Sequence, residues 1–362
     1  MISRRRFALL CGSAAFAQAP EEKVELEWHD AKKFAVEGLG FSDVKSPYDR
    51  LPARAEGVVR KEVWDLSRDS AGALVRFTTN APTLRARWKL TRSRLAGVNM
   101  TAIAASGLDL YAKKGPASWR WLGVGRPANA PVIESDLAGG IAKGEREYML
   151  YLPLYNGVTS LEIGVPKGTP VAPGAPRPAN RKPIVFYGTS ITHGASASRA
   201  GMTHVAMLGR KFDRPVINLG FSGNGRMEPE VVKFIAELDA AVFVLDCLPN
   251  ITAKGVEERT EPCMKILRDA HPSTPILLVE DRNYQDGWLI PSRRERNETS
   301  QAALRAVYQR LQRAKMRDIY YLRGADLLGG DGEATADGSH PSDLGFVRQA
   351  QAFEKPLRKI LK

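Results

Sequence analysis

Serine, histidine and aspartate can together make a nucleophile, and this chain carries the three in places worth following. Ser190 lies in Ile184-Val-Phe-Tyr-Gly-Thr-Ser-Ile-Thr-His-Gly194, just after four apolar residues that read as a buried strand ended by Gly188. A serine at the C-terminal end of a parallel strand sits where open α/β sheets bind ligands. The plainer reading is a turn or N-cap serine, the common use of serine at such a junction. A nucleophilic serine needs a base, and the base needs an orienting group. Of the five histidines, His340 has a carboxylate held close in sequence, in Asp337-Gly-Ser-His-Pro341. In a compact turn Asp337 can fix one ring nitrogen, and with it the tautomer, while the other nitrogen faces the serine. Asp-x-x-His alone is also an ordinary surface turn. His193 is near enough to Ser190 to line the same pocket but has no evident carboxylate partner. His204 falls in a helical pattern, His271 precedes Pro272 near a helix end, and His29 lies in the first half of the chain.

Acyl transfer through a serine also needs donors for the oxyanion. Asn218-Leu-Gly-Phe-Ser-Gly-Asn224 follows a second apolar run, and Gly223 lets the backbone N–H come close to a developing charge. Asp246-Cys-Leu-Pro-Asn250 follows a third run and offers the Asn250 side-chain amide. The Ser190 N–H completes an oxyanion set of Ser190, Gly223 and Asn250. Glycine and asparagine also favour turns for their own reasons. The argument rests on the coincidence: four loops, each after an apolar strand, supply the nucleophile, two donors and the acid–base pair. No Cys/His spacing suits a metal, and the catalytic set provides its own base, so neither a metal nor a cofactor is expected.

These residues need a sheet to hold them. From Ile184 onward the chain alternates strand and helix patterns, with strands at 184–187, 215–219, 240–246, 275–280 and 318–322. Helices are expected near 201–212, 228–237, 256–270, 297–315 and 342–361. The strands are almost continuous apolar runs, as in Ala240-Ala-Val-Phe-Val-Leu245, which suits a parallel sheet covered on both faces. Residues 281–296 read as a long irregular loop at the functional end of the sheet. From about Leu26 to Pro170 the pattern is β instead. Strand-like runs are expected at Val58–Leu66, 74–79, 84–90, 101–111, 119–124, 148–154 and 160–165, and their number suggests a sandwich. Five prolines between Pro170 and Pro183 mark a stiff connection. The expected organisation is an export signal at 1–17, a β-sandwich at 18–170, a linker at 171–183 and an α/β domain at 184–362.

The four loop motifs resemble those of the SGNH (GDSL-type) hydrolases, whose pattern Ser190, Gly223, Asn250 and His340 would meet in order, with Asp337 as the third triad member. The wording of the motifs is similar to the branch that carries an N-terminal GxDLY module, here Gly107-Leu-Asp-Leu-Tyr111. The resemblance covers nearly all of the chain after the signal. It implies a flavodoxin-like three-layer α/β/α catalytic domain preceded by an all-β jelly-roll-like sandwich. Two features depart from the broad pattern: Thr189 stands where Gly-Asp-Ser has its aspartate, and block three reads Asp-Cys-Leu-Pro-Asn rather than Gly-x-Asn-Asp. The serine is not in a Gly-x-Ser-x-Gly elbow, because Thr192 takes the last place, which argues against an ordinary α/β-hydrolase. Asp109 and Tyr111 read as structural, as do Trp88, Trp119 and Trp121, although tryptophans could also stack on sugars.

The N-terminus reads as an export signal. Arg4, Arg5 and Arg6 precede the short apolar stretch Ala8–Phe16 and the small-x-small site Ala15-Phe16-Ala17, and the arginine pair resembles a twin-arginine signal. Cys11 follows Leu10, so no lipid anchor is read. The net charge of +13 falls by three to +10 without these arginines. The charge is spread along the chain without a basic–aromatic cluster, so no nucleic-acid partner is expected, and no apolar run is long enough to span a membrane. Cys247 and Cys263 read as two buried thiols. The expectation is therefore a secreted serine esterase (periplasmic or extracellular) that removes small acyl groups, acetyl above all, from carbohydrates. Two alternatives remain at this point: a lysophospholipase or thioesterase, with Trp288, Leu289 and Ile290 lining an acyl groove, or an inert glycan-binding protein.

Overall fold

The computed structural model of this 362-residue chain describes residues 24–115 and 118–362. The expected export signal at 1–17 lies outside the described residues.

Ten strands build the first half: β1 (Leu26–Asp30), β2 (Ala35–Glu37), β3 (Leu74–Thr79), β4 (Leu84–Leu90), β5 (Leu108–Gly115), β6 (Ser118–Gly125), β7 (Val132–Ala138), β8 (Arg146–Tyr151), β9 (Val158–Pro166) and β10 (Val171–Pro173). They form two antiparallel sheets, β1-β9-β4-β7 and β10-β3-β8-β5-β6, with β2 added to β3. The period of two along a strand assigns each face. In β8, Tyr148 and Leu150 point into the core between the sheets, with Phe77, Trp88, Leu110 and Ile163. Met149 and Tyr151 point the other way, into a second apolar layer that meets Ile191, Ala200, Ala206 and Phe346 of the second half. The six-stranded sheet is thus buried on both sides, and its outer face is the joint between the halves.

The second half contains β11 (Ile184–Gly188), β12 (Val216–Gly220), β13 (Val242–Asp246), β14 (Ile276–Val279) and β15 (Ile319–Leu322), all parallel, in the order β12-β11-β13-β14-β15. This is the flavodoxin-like order, with its topological switch beside β11. Among the described residues the α-helices are α1 (Lys61–Ser67), α2 (Ala102–Ser106), α3 (Ser190–His193), α4 (His204–Phe212), α5 (Pro229–Ile235), α6 (Ala253–Ala270), α7 (Pro291–Arg313) and α8 (Asp343–Ile360). Helices α5, α6 and α7 pack one face of the parallel sheet through Val232, Met264 and Leu304. Helices α4 and α8 pack the other through Val205, Leu208, Phe353 and Leu357.

Several expectations are corrected. Residues 61–66 of the expected strand at Val58–Leu66 are helical, part of α1. Val63, Trp64 and Ser67 are the buried residues of α1, a helical spacing, and they join the core of the parallel sheet rather than the sandwich. A short run rich in Val and Trp does not by itself separate the two periods. The first part of the expected strand 101–111 is α2, capped by the Thr101 hydroxyl, which accepts from the Ala104 N–H at 3.2 Å; only from Leu108 is the chain extended. Strand β7 was not expected; its outward Glu134 and Asp136 hide the alternation. Helix α7 starts at Pro291, a residue suited to the first helical position, so the irregular stretch after β14 is shorter than expected. The proline-rich stretch is docked: β10 pairs with β3, and Arg177 bridges Glu37 at 2.9 Å and Asp213 at 2.7 Å.

Candidate active site

The end of β11 and the turn into α3 position Ser190. Thr189 is the N-cap, and its hydroxyl accepts from the Ile191 N–H at 3.3 Å. A short helix that was not expected, α3, begins at the serine itself and lasts four residues before Gly194 ends it at φ +117°; the helix expected near 201–212 is α4. Being in the first turn, the Ser190 N–H has no intrahelical acceptor. Thr192, one residue on from Ile191, donates its hydroxyl to Asp246 Oδ2 at 3.1 Å, tying the short helix to the end of β13. A side chain at Gly188 would collide with this threonine, its Cβ lying 2.1 Å from Thr192 Oγ1.

His340 reaches Ser190 from the loop before α8. Ser190 Oγ lies 2.9 Å from His340 Nε2, and His340 Nδ1 lies 2.7 Å from Asp337 Oδ2. The loop is shaped by Asp337 itself: its Oδ1 accepts from the backbone N–H of Ser339 at 3.1 Å and of His340 at 2.8 Å. Burial pushes the Asp337 carboxyl up, but the hydrogen bonds from the His340 backbone and ring and from Ser339 outweigh it and hold the group below the ordinary carboxylate range. The carboxylate is therefore charged wherever the imidazole is to be held. Ser190 is 7% exposed, while the His340 side chain is 26% exposed, so the serine is the more deeply set of the two.

Gly223 and Asn250 lie in the loops after β12 and β13. Gly223 adopts φ +71°, the left-handed region, and an added Cβ there would meet nothing within 4 Å. Backbone freedom, not space, makes it glycine. Two residues on, Gly225 packs against the turn before Ser190, with an added Cβ only 2.0 Å from the Gly188 carbonyl oxygen. The Gly225 N–H donates to Asn250 Oδ1 at 3.2 Å, which turns the Asn250 amide so that its NH₂ is the free end. The structure thus brings Ser190, His340 and Asp337 into one hydrogen-bonded line and sets Asn250 and the Gly223–Gly225 turn against the Gly188–Thr189 turn that carries the serine.

Residues that sequence reasoning missed support this arrangement. Arg50, fully buried, donates to the carbonyls of Asn218 at 3.1 Å and Gly220 at 2.7 Å, fixing the end of β12 just before the Gly223 turn. Burial pushes its guanidinium down to about 9. Beneath α3, Arg282 forms a buried two-pronged pair with Asp246 (Nη2 to Oδ2, 2.7 Å) and donates from Nε to Gln349 Oε1 at 2.8 Å. This pair joins the ends of β13 and β14 to α8. Tyr155, from the sandwich, stacks on His193 with centroids 4.1 Å apart, and its hydroxyl lies 3.5 Å from the Ser190 carbonyl. Beside it a cavity of about 480 Å³ is walled by Arg92, Arg94, Asn99 and Met100 of the sandwich. Polar pairs at long sequence separation leave no local signal.

The remaining candidates lie elsewhere. His193 is fully buried, and its Nε2 sits 2.6 Å from the Leu154 carbonyl; burial, aided by Arg50, holds its ring well below the usual imidazole range. It is a neutral structural histidine, turned from the site. His204 stacks on Phe346 in the core, and burial likewise keeps it neutral. Cys247 and Cys263 are buried free thiols. Asp109 and Tyr111 work at the joint between the halves. Asp109 Oδ2 accepts from the Gly201 N–H at 2.7 Å and from Arg199 at 2.9 Å, its Oδ1 accepts from Trp121 Nε1 at 3.1 Å, and Tyr111 lies under the Arg210 guanidinium. Among the described residues no group of three or more His, Cys, Asp or Glu could hold a metal, and no helix is long and apolar enough to cross a membrane.

Residues 181–358 match the GDSL-like lipase/acylhydrolase family, and residues 26–171 match the GxDLY module, the N-terminus of SGNH hydrolase-type esterases. A solved structure from Bacteroides ovatus, described as a GDSL-like lipase, is 35% identical with a TM-score of 0.88, over 93% of this chain and 98% of that one. The chain belongs to the GDSL-like lipase/acylhydrolase family. It is a carboxylic ester hydrolase of the SGNH type. More distant structures share the fold. A salicylyl-acyltransferase from a tetracycline biosynthetic pathway is 18% identical with a TM-score of 0.68, over 95% of this enzyme and 96% of that chain. A family two carbohydrate esterase from Cellvibrio japonicus is 14% identical with a TM-score of 0.58, over 93% and 98%. No curated protein matches the enzyme.

Proposed function

We propose that the enzyme is an exported serine esterase that removes small acyl groups, acetyl above all, from carbohydrates. The observation that carries the mechanism is the line Ser190 Oγ, His340 Nε2, His340 Nδ1, Asp337 Oδ2, with links of 2.9 and 2.7 Å. Ser190 Oγ attacks the ester carbonyl carbon and its proton passes to His340 Nε2. Asp337 keeps the Nδ1 proton in place and stabilises the imidazolium. The oxyanion is met by the N–H of Ser190, the N–H of Gly223 and the Asn250 amide. As the tetrahedral intermediate collapses, the alcohol leaves with the proton from Nε2 and an acyl-serine remains. Water then attacks, His340 takes its proton, and the acid departs as Ser190 regains its hydrogen.

The carbohydrate assignment is supported by the sandwich. Tyr155 stands beside Ser190 and shares a cavity with the loop Arg92–Met100, where the alcohol part of a substrate would lie. Carbohydrate esterases recur among proteins that pair the two folds in this way. Export is supported by the arginine-rich, apolar N-terminus. The test is a comparison of acetylated oligosaccharides with long-chain acyl esters and lysophospholipids, acyl loss being followed by mass spectrometry. Faster cleavage of the sugar acetates is expected. A preference for the long chains would replace this reading with a lysophospholipase or thioesterase.

A further inference from the structure

A second cavity, of about 490 Å³, lies behind the loop that carries the acid–base pair, between the start of α7 and the glycine-rich turn at 329–332. Its size falls within the range of small-ligand sites, about 300–1,000 Å³. It adjoins the catalytic loop directly. The Gln285 N–H donates to the Gly338 carbonyl at 3.0 Å, and Gln285 Oε1 accepts from the Ala334 N–H at 3.0 Å and the Thr335 hydroxyl at 2.9 Å. Gln285 Nε2, at the wall, has no protein partner.

The lining has a particular chemistry. Four amide side chains line it, Asn283, Gln285, Asn297 and Gln301, of which Asn297 is engaged at both ends by the Tyr284 N–H and the Asp281 carboxylate. The charged groups that border it are matched. Arg294 lies 3.8 Å from Glu298, and Asp331 pairs with Arg348 at 2.6 Å. Over this polar, charge-balanced hollow stands Trp288, 77% exposed, beside Leu289 at 68%. A large aromatic left so open is informative, because tryptophan normally has its ring covered. An acyl chain would meet hydrogen-bonding walls with nothing to offer them, at a desolvation cost. An anion would find no unpaired cation among these residues. A neutral polyhydroxylated ring suits both features, since amides bind hydroxyls as donors and acceptors and an indole face packs the apolar side of a sugar.

We propose that this cavity is a subsite for neutral sugar units flanking the ester-bearing residue, with Trp288 as the stacking platform. The proposal rests on the carbohydrate esterase reading and adds to it an extended glycan substrate that runs past the Asp337–His340 loop. A tryptophan face contributes about tenfold in affinity when its aromatic contact is worth ~1.4 kcal/mol.

The experiment has two arms. In the first, kcat/KM is measured for the native enzyme, Trp288→Ala and Trp288→Phe on acetylated xylo-oligosaccharides and on a small aryl acetate. The ratio of oligosaccharide to aryl acetate kcat/KM should fall about tenfold in Trp288→Ala, through KM, and recover in large part in Trp288→Phe. An unchanged ratio overturns the subsite. In the second arm, unacylated neutral oligosaccharides derived from xylan, mannan and cellulose are titrated calorimetrically into the Ser190→Ala protein, with and without Trp288→Ala. Binding that is lost with Trp288 supports the subsite even where no sugar ester in the first arm is cleaved, a result that would count against the esterase specificity alone. Absence of binding by all three oligosaccharides overturns the subsite whatever the activity.

Discussion

Replacing Asp337 with asparagine removes one charge and leaves the loop's shape almost intact. The amide oxygen can keep the bonds from the Ser339 and His340 N–H groups, which set the turn. What is lost is the charge 2.7 Å from His340 Nδ1. An imidazolium and a carboxylate at ~4 Å attract by about 4 kcal/mol at an effective dielectric of 20 and about 1 kcal/mol in water. The Asp337 side chain is 44% exposed, so solvent screening places the contribution between these, at roughly 2 kcal/mol. That alone is about thirtyfold in rate. The amide NH₂ also favours the tautomer with its proton on Nε2, which cannot accept from serine. We therefore expect kcat to fall by about 10²–10³, less than the ~10⁴ of a fully buried triad carboxylate. KM and thermal stability should change little. Because the folded Asp337 has a lowered pKa, its carboxylate stays charged at and above the ordinary carboxylate range, and its hold on the imidazolium fades only as pH falls through the folded value. The substitution should therefore show its full effect at neutral pH. The assay is initial-rate hydrolysis of an aryl acetate, with melting temperature as the folding control. A kcat within threefold of the native enzyme would refute the role given to Asp337.

Other substitutions probe the rest of the site. Asn250→Ala should lower kcat by about 10²–10³ with a small change in KM, measured by steady-state kinetics, because its amide acts on the oxyanion. Gly225→Ala should lower both activity and melting temperature, since the new methyl would lie 2.0 Å from the Gly188 carbonyl oxygen and push the serine turn away. Dialysis against a chelator should leave kcat unchanged, because the triad supplies its own base; a reversible loss restored by a divalent metal would contradict this.

The sequence made the α/β half readable because its strands are uninterrupted apolar runs and its helices begin at strong signals, such as Thr252 before α6. The site was readable because each of its residues follows such a strand. The sandwich was legible as a class but less so in its elements. In Val58–Leu66 the residues that favour strands serve a helix, since their partners are Ile217 and Phe221 of the other half. Local propensity cannot show a partner 150 residues away. For the same reason Arg50 leaves no local signal: it donates to the carbonyls of Leu66, Asp69, Asn218 and Gly220, scattered along the chain. His193 shows the converse: proximity in sequence suggested a base, and burial against Leu154 and Tyr155 removes it from the chemistry.

The central claim, that Ser190 is the nucleophile activated by His340, is tested most directly by a fluorophosphonate probe, which reacts with activated serines. The native enzyme, His340→Ala and Ser190→Ala are treated with the probe, and peptides are mapped by mass spectrometry. One adduct on the Ser190 peptide is expected in the native enzyme, with labelling slowed by orders of magnitude in His340→Ala and abolished in Ser190→Ala. Labelling of another serine, or an equal rate in His340→Ala, would contradict the account.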